Sequence, residues 1–165
     1  MSLIVIPLML YAEGKMSSPC FYMSEFFEHR NTEYQGRLLA VSENGDWTGW
    51  CNFFLNAVET QAKTNLTKAH EIFELYNATR AKLIEHSKSA RADKVVDTLF
   101  VSPIFSAKDF ATIEGVTEKT GRRLLGALKE MGTVREISPH SGQRAAIMVF
   151  PELLEITECW TSLSK

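Results

Sequence analysis

Ser106–Phe150, SAKDFATIEGVTEKTGRRLLGALKEMGTVREISPHSGQRAAIMVF, is the stretch whose pattern decides how the chain is read. Ser106 is placed to cap a short helix, with Asp109 three residues on in a spacing close to a capping box. Ala111 offers a small side chain where two helices cross, and Gly115 permits a turn that Val116 plugs. Thr117 caps the next helix, in which Leu124, Leu125 and Leu128 face inward until Gly132 ends it. VREISPHSGQRAAIMVF then reads as a β-hairpin, with Pro139 and Gly142 as turn residues at its tip. Upstream, Val95, Val96, Leu99 and Phe100 predict a helix from Asp93 or Lys94 that stops before Val101, Ser102 and Pro103.

Three helices and a hairpin in that order form a winged helix-turn-helix, a module that lays its last helix in the major groove of DNA or serves as a dimerisation or regulatory domain. The candidate DNA contacts on that helix are Thr117, Lys119, Thr120, Arg122 and Arg123, and on the wing Arg135, His140 and Arg144. Arginine reaches guanine edges or phosphate, and threonine hydroxyls hold phosphate. Between Ile104 and Arg144 seven Lys or Arg stand against five Asp or Glu, a modest positive balance. Glu114 just before the turn, and Gly121 and Gly126 within the helix at about 1 kcal/mol each relative to alanine, weigh against an optimised DNA reader. The residues leave DNA contact, dimerisation and regulation open.

A chain of 165 residues accommodates two small domains, each with its own core. With 45% hydrophobic and 23% charged residues the composition is that of an ordinary globular protein, and its apolar runs are too short to cross a bilayer. A net charge of −2 excludes nucleic-acid binding through bulk positive charge, so any DNA contact is a local patch. Cys20, Cys51 and Cys159 lack the close pairing of a zinc or redox site and read as reduced, mostly buried thiols, which points to a cytoplasmic protein. His29, His70, His86 and His140 are far apart, with no HExxH pair, so no metal ligand is nominated. LIVIPLML has no basic residue before it and no cleavage site after it, unlike a signal peptide.

In the first half, Leu3–Glu13 reads as a buried helix ending at Gly14. Tyr22, Met23, Phe26 and Phe27 share a helical face, and Asn31 or Thr32 caps a helix with a Tyr34, Leu38, Val41 stripe. After the Asn44–Gly45 turn, Asp46 caps a longer helix whose Trp47, Trp50, Phe54, Ala57, Val58 and Gln61 assign both tryptophans to the core. The pattern persists through Leu66, Ala69, Phe73, Tyr76 and Leu83 as a long amphipathic helix, with a break near Thr64 and Asn65 left open. HSKSARAD, residues 86–93, is polar and aperiodic and is the expected linker, dividing the chain into 1–88 and 89–165. The expected fold class is mainly α, a helical bundle followed by a winged helix-turn-helix with a small β-hairpin.

Four segments of the first half, IPLMLY at Ile6–Tyr11, YMSEFF at Tyr22–Phe27, RNTEYQGRL at Arg30–Leu38 and GDWTGWCNFFL at Gly45–Leu55, follow one another in a recognisable order. They resemble the C-terminal part of the Fic (Fido) domain, whose helices carry I-P-L-L-L-Y, Y-x-S-x-[YF]-F, R-x-x-Y-Y-x-x-L and G-D-W-x-x-W-x-x-F-F-L. The resemblance covers about a third of the chain directly, Ile6–Ala62, and many Fic proteins continue into a long helix and a winged helix-turn-helix. It implies a parent that transfers AMP from ATP, with Mg, to a protein hydroxyl, through an HPFxxGNGR motif lying just before the first of these helices. That motif is absent here, so no catalytic or cofactor-binding residue is nominated, and the resemblance implies a missing N-terminal Fic core as partner. The alternative from the residues is a stand-alone winged-helix transcriptional regulator, a homodimer through its N-terminal helices.

Overall fold

The computed structural model describes residues 9, 11–15, 23–139 and 145–157. The fold is mainly α with one small antiparallel sheet. In chain order the elements are α1 (Ser24–His29), α2 (Asn31–Asn44), α3 (Trp47–Ser87), α4 (Ala92–Val101), β1 (Ile104–Ser106), α5 (Ala107–Phe110), α6 (Glu118–Glu130), β2 (Arg135–Ser138), β3 (Ile147–Val149) and α7 (Pro151–Ile156). The chain divides into two compact units, Met1–Thr67 and Lys68–Lys165, so α3 contributes to both. Among the described residues no helix is long and apolar enough to cross a membrane.

The first unit is built on an aromatic cluster. Met23, Phe26 and Phe27 bury against Phe53 and Ala57, with Tyr34, Trp50, Phe54 and Val58 packed around them. Ring pairs link the helices: Phe27 and Tyr34 lie 5.0 Å apart, Tyr34 and Trp50 5.7 Å, and Phe26 and Phe53 6.0 Å. Gly45 closes α2 in the left-handed region at φ 66, its amide bonding back to Val41, and the Asp46 carboxylate caps α3 by accepting from the Gly49 amide at 2.9 Å.

Three expectations change in this unit. α2 buries none of its residues fully, and of the Tyr34, Leu38, Val41 stripe Tyr34 packs half-buried on the cluster while Leu38 is exposed. Trp47 is 65% exposed, and Phe53 takes the place in the cluster that periodicity gave to it. Cys51, one residue from Trp50 on the helix, is a free and exposed thiol rather than a buried one. The cause is common to all three: helical spacing says which side chains share a flank, and a flank becomes core only where another element covers it. The predicted helix Leu3–Glu13 lies mostly outside the described residues, as do Cys20 and Cys159.

α3 is the long helix expected here and runs unbroken through Thr64 and Asn65. Thr64 and Thr67 donate their hydroxyls to the carbonyls of Thr60 and Lys63 one turn back, and the Gln61 amide donates to the Asn65 side chain at 2.9 Å. Polar groups that would otherwise draw the backbone out of the helix are satisfied within it.

The second unit closes around one apolar core, in which Leu83 of α3 meets Val95, Val96 and Leu99 of α4, Leu124 and Leu128 of α6, and Phe150 beside β3. Phe105 and Phe110 stack at 4.3 Å, and Phe100 meets Phe150 edge-on at 5.4 Å. Full burial of each such side chain contributes about 1.5–3 kcal/mol. Leu66 and Phe73, expected on the same buried side of α3 as Leu83, are 59% and 65% exposed. The sheet has the order β1-β3-β2, with Ile104 opposite Val149 and Arg135 opposite Val149 on the other side. The hairpin β2–β3 is the predicted wing; β1 is an addition, three residues being too few to show an alternating pattern. The succession α4, β1, α5, α6, β2, β3 is that of a winged helix-turn-helix.

α4 is tied to α3 by side chains as well as by the core. Arg80 forks onto the Asp93 carboxylate at 2.7 and 3.2 Å, and the Tyr76 hydroxyl donates to Asp97 at 2.6 Å. The guanidinium holds the Asp93 carboxyl below the usual carboxylate range, and the bond to Asp97 raises the Tyr76 phenol.

Candidate functional site

α6 is set by its two ends. The Thr117 hydroxyl accepts from the Thr120 amide at 3.4 Å and lies 2.9 Å from the Thr120 hydroxyl, so both threonines serve the helix start. Gly115 holds φ 76 in the turn before it, with the Lys94 ammonium drawn in towards the Glu114 carbonyl at 3.5 Å. Gly121 lets α6 lie on the preceding turn: a Cβ there would come within 2.7 Å of the Ala111 carbonyl oxygen. The small-residue crossing read from Ala111 is thus completed by Gly121.

The candidate contact residues divide by what already holds them. Arg122 pairs with Glu118 one turn earlier on the exposed face. Arg123 turns back to donate to the Ser87 carbonyl at 3.2 Å, at the C-terminal end of α3. Lys119 is exposed and, among the described residues, has no side-chain partner. Arg135 is exposed on β2, beyond which His140 and Arg144 lie outside the described residues. Further along, Lys129 reaches Glu136 of β2 at 3.4 Å and His86 meets Glu130 at 3.2 Å. Arg122 and Lys129 are thus matched by carboxylates and Arg123 by a carbonyl of the same unit, and exposed ion pairs of this kind are each worth about 0–1 kcal/mol.

Beside this face lies a groove of about 460 Å³ between α6, the start of α5 and the residues leading into β3. Arg122, Gly126 and Lys129 line one wall at helical spacing, Lys108 and Ala107 stand on α5, and Ala145 and Ala146 precede β3. The Ala107 amide donates to the Ala146 carbonyl at 2.9 Å and so joins the last two. Among the described residues, three cations and no carboxylate line the groove. Neither Lys108 nor Lys129 was nominated from the sequence. The signal for Lys129 was its place seven residues after Arg122 on one helix flank; Lys108 needed the tertiary fold. What the described lining residues offer a ligand is positive charge above a floor of small side chains. No protein-family model matches the chain.

Proposed function

We propose that this chain is the non-catalytic C-terminal region of a Fic-like protein, its winged helix serving docking and regulation, while the catalytic core of that parent transfers AMP from ATP with Mg. What carries this reading is the apolar surface of the first unit. Trp47, Cys51, Leu55, Ala62 and Leu66 recur along one flank of α3 and are all exposed, as are Leu38 and Leu39 of α2. Apolar side chains repeated along one exposed helix flank suit a face that another part of a protein covers. The helices that carry it are those that resemble the closing layer of the Fic domain.

The test is to express the chain together with a polypeptide bearing the HPFxxGNGR motif and assay AMP transfer to protein hydroxyls. Co-purification and transfer by the pair, with none by this chain alone, is the expected result. Transfer by this chain alone overturns the reading, as does a failure of the two polypeptides to associate.

A second reading, DNA recognition by the winged helix, draws on Lys119, which is exposed at the start of α6 beside Thr117 and Thr120 and has no side-chain partner among the described residues. It expects salt-dependent binding to duplex DNA that falls when Lys119 and Arg122 become alanine. Absence of binding at low salt removes it.

A further inference from the structure

We infer that the groove between α6 and the base of the wing is a docking site for an acidic segment of a partner protein, one that alternates carboxylates with small aliphatic side chains. The inference rests on the docking reading of the winged helix. Its first support is charge. Lys108, Arg122 and Lys129 stand around the groove, and the carboxylates that pair with two of them, Glu118 and Glu136, are not part of its lining. An incoming carboxylate exchanges with an exposed pair at little cost, because such pairs are weak.

The second support is the floor. Four small residues, Ala107, Gly126, Ala145 and Ala146, leave the space beside Leu125 open, so the groove exists because side chains are short there. Gly126 is central: a Cβ added to it meets nothing within 4 Å, and its helical backbone has no need of glycine. Helix propensity alone favours almost any other residue at that position. A phosphate backbone would satisfy the three cations and leave the apolar floor bare, whereas an acidic aliphatic segment covers both. The volume suits a few side chains rather than a whole element.

The experiment uses the full chain and a short fluorescein-labelled peptide alternating glutamate with alanine and leucine, followed by anisotropy at low salt. A second peptide has lysine in place of glutamate. Binding of the acidic peptide is expected, weakened roughly ten-fold by Gly126→Leu, which fills the groove, and by the pair Lys108→Glu and Lys129→Glu. Gly126→Leu should not lower the melting temperature, so its loss of binding is not a loss of fold. Equal binding by Gly126→Leu, or equal binding of the lysine peptide, overturns the inference. So does binding of duplex DNA that Gly126→Leu abolishes while the acidic peptide stays free, which would make the groove a nucleic-acid site. A dimer seen in sedimentation that Gly126→Leu dissolves would assign the groove to a second copy and overturn it too. Absent peptide binding alongside an intact AMP-transferring pair removes the groove's role alone; peptide binding without that pair leaves the groove standing and removes the parentage.

Discussion

The two units of this chain spend similar sequence material to different ends. The second gathers Leu83, Val95, Leu99, Leu124, Leu128 and Phe150 into a core closed on all sides. The first is also rich in large apolar residues, but its cluster of Met23, Phe26, Phe27, Phe53 and Ala57 covers one flank of α3 and leaves Trp47, Leu55 and Leu66 at the surface. The ion pairs differ in the same sense. In the second unit Arg80 reaches Asp93 on the next helix, while in the first Glu33 of α2 pairs with Arg30 at 3.6 Å and Arg37 at 3.8 Å, within one turn on either side. One unit closes its core within itself, while the other gathers an aromatic cluster and leaves a second apolar flank at the surface.

Core truncation should separate them most. Leu99→Ala is expected to cost the second unit about 2–5 kcal/mol, because the hole it leaves is walled on every side. Phe53→Ala should cost the first unit less, since the gap lies near solvent and its neighbours can relax into it. Segment-resolved hydrogen exchange under native conditions measures both; equal losses would break the contrast.

Glycine replacement should give opposite signs. Gly121→Ala drives a methyl against the Ala111 backbone and is expected to destabilise the winged helix by about 1–3 kcal/mol. Gly36→Ala, in α2, meets nothing within 4 Å and should stabilise that helix by up to about 1 kcal/mol. Thermal unfolding followed by circular dichroism reports both, and a destabilising Gly36→Ala would mean that α2 is covered after all.

The smallest effect concerns pH. The Asp93 carboxyl is depressed in the folded state by Arg80, so its contribution is present above the unfolded value, near 4, and fades as pH falls through the folded one. Asp93→Asn should therefore lower the melting temperature slightly at neutral pH, with the gap from wild type closing below about pH 4. A gap that persists in strong acid would assign the loss to packing.

The parts legible in the sequence were those decided within a few residues. Ser106 and Thr117 cap their helices and Gly45 ends α2 in the left-handed region, because a cap is a bond to an amide two or three positions away. The wing's two strands pair as read, and its tip with Gly142 lies outside the described residues. Less legible was whatever depends on a distant neighbour. Trp47 and Trp50 are alike by spacing, and only the presence of Tyr34 and Phe26 beside one flank separates them. The candidate site was legible in its residue types but not in their engagement. Nothing near Arg123 in the chain announces a bond to Ser87, 36 positions earlier.

That bond has a consequence of its own. The last turn of a helix leaves carbonyl oxygens without intrahelical donors, and here Arg123 supplies one of them from another element. A residue nominated to touch a ligand is thus also the stopper of α3. Any partner that drew the guanidinium away would loosen the helix end at Ser87, and occupancy of the recognition face would become readable as faster amide exchange there.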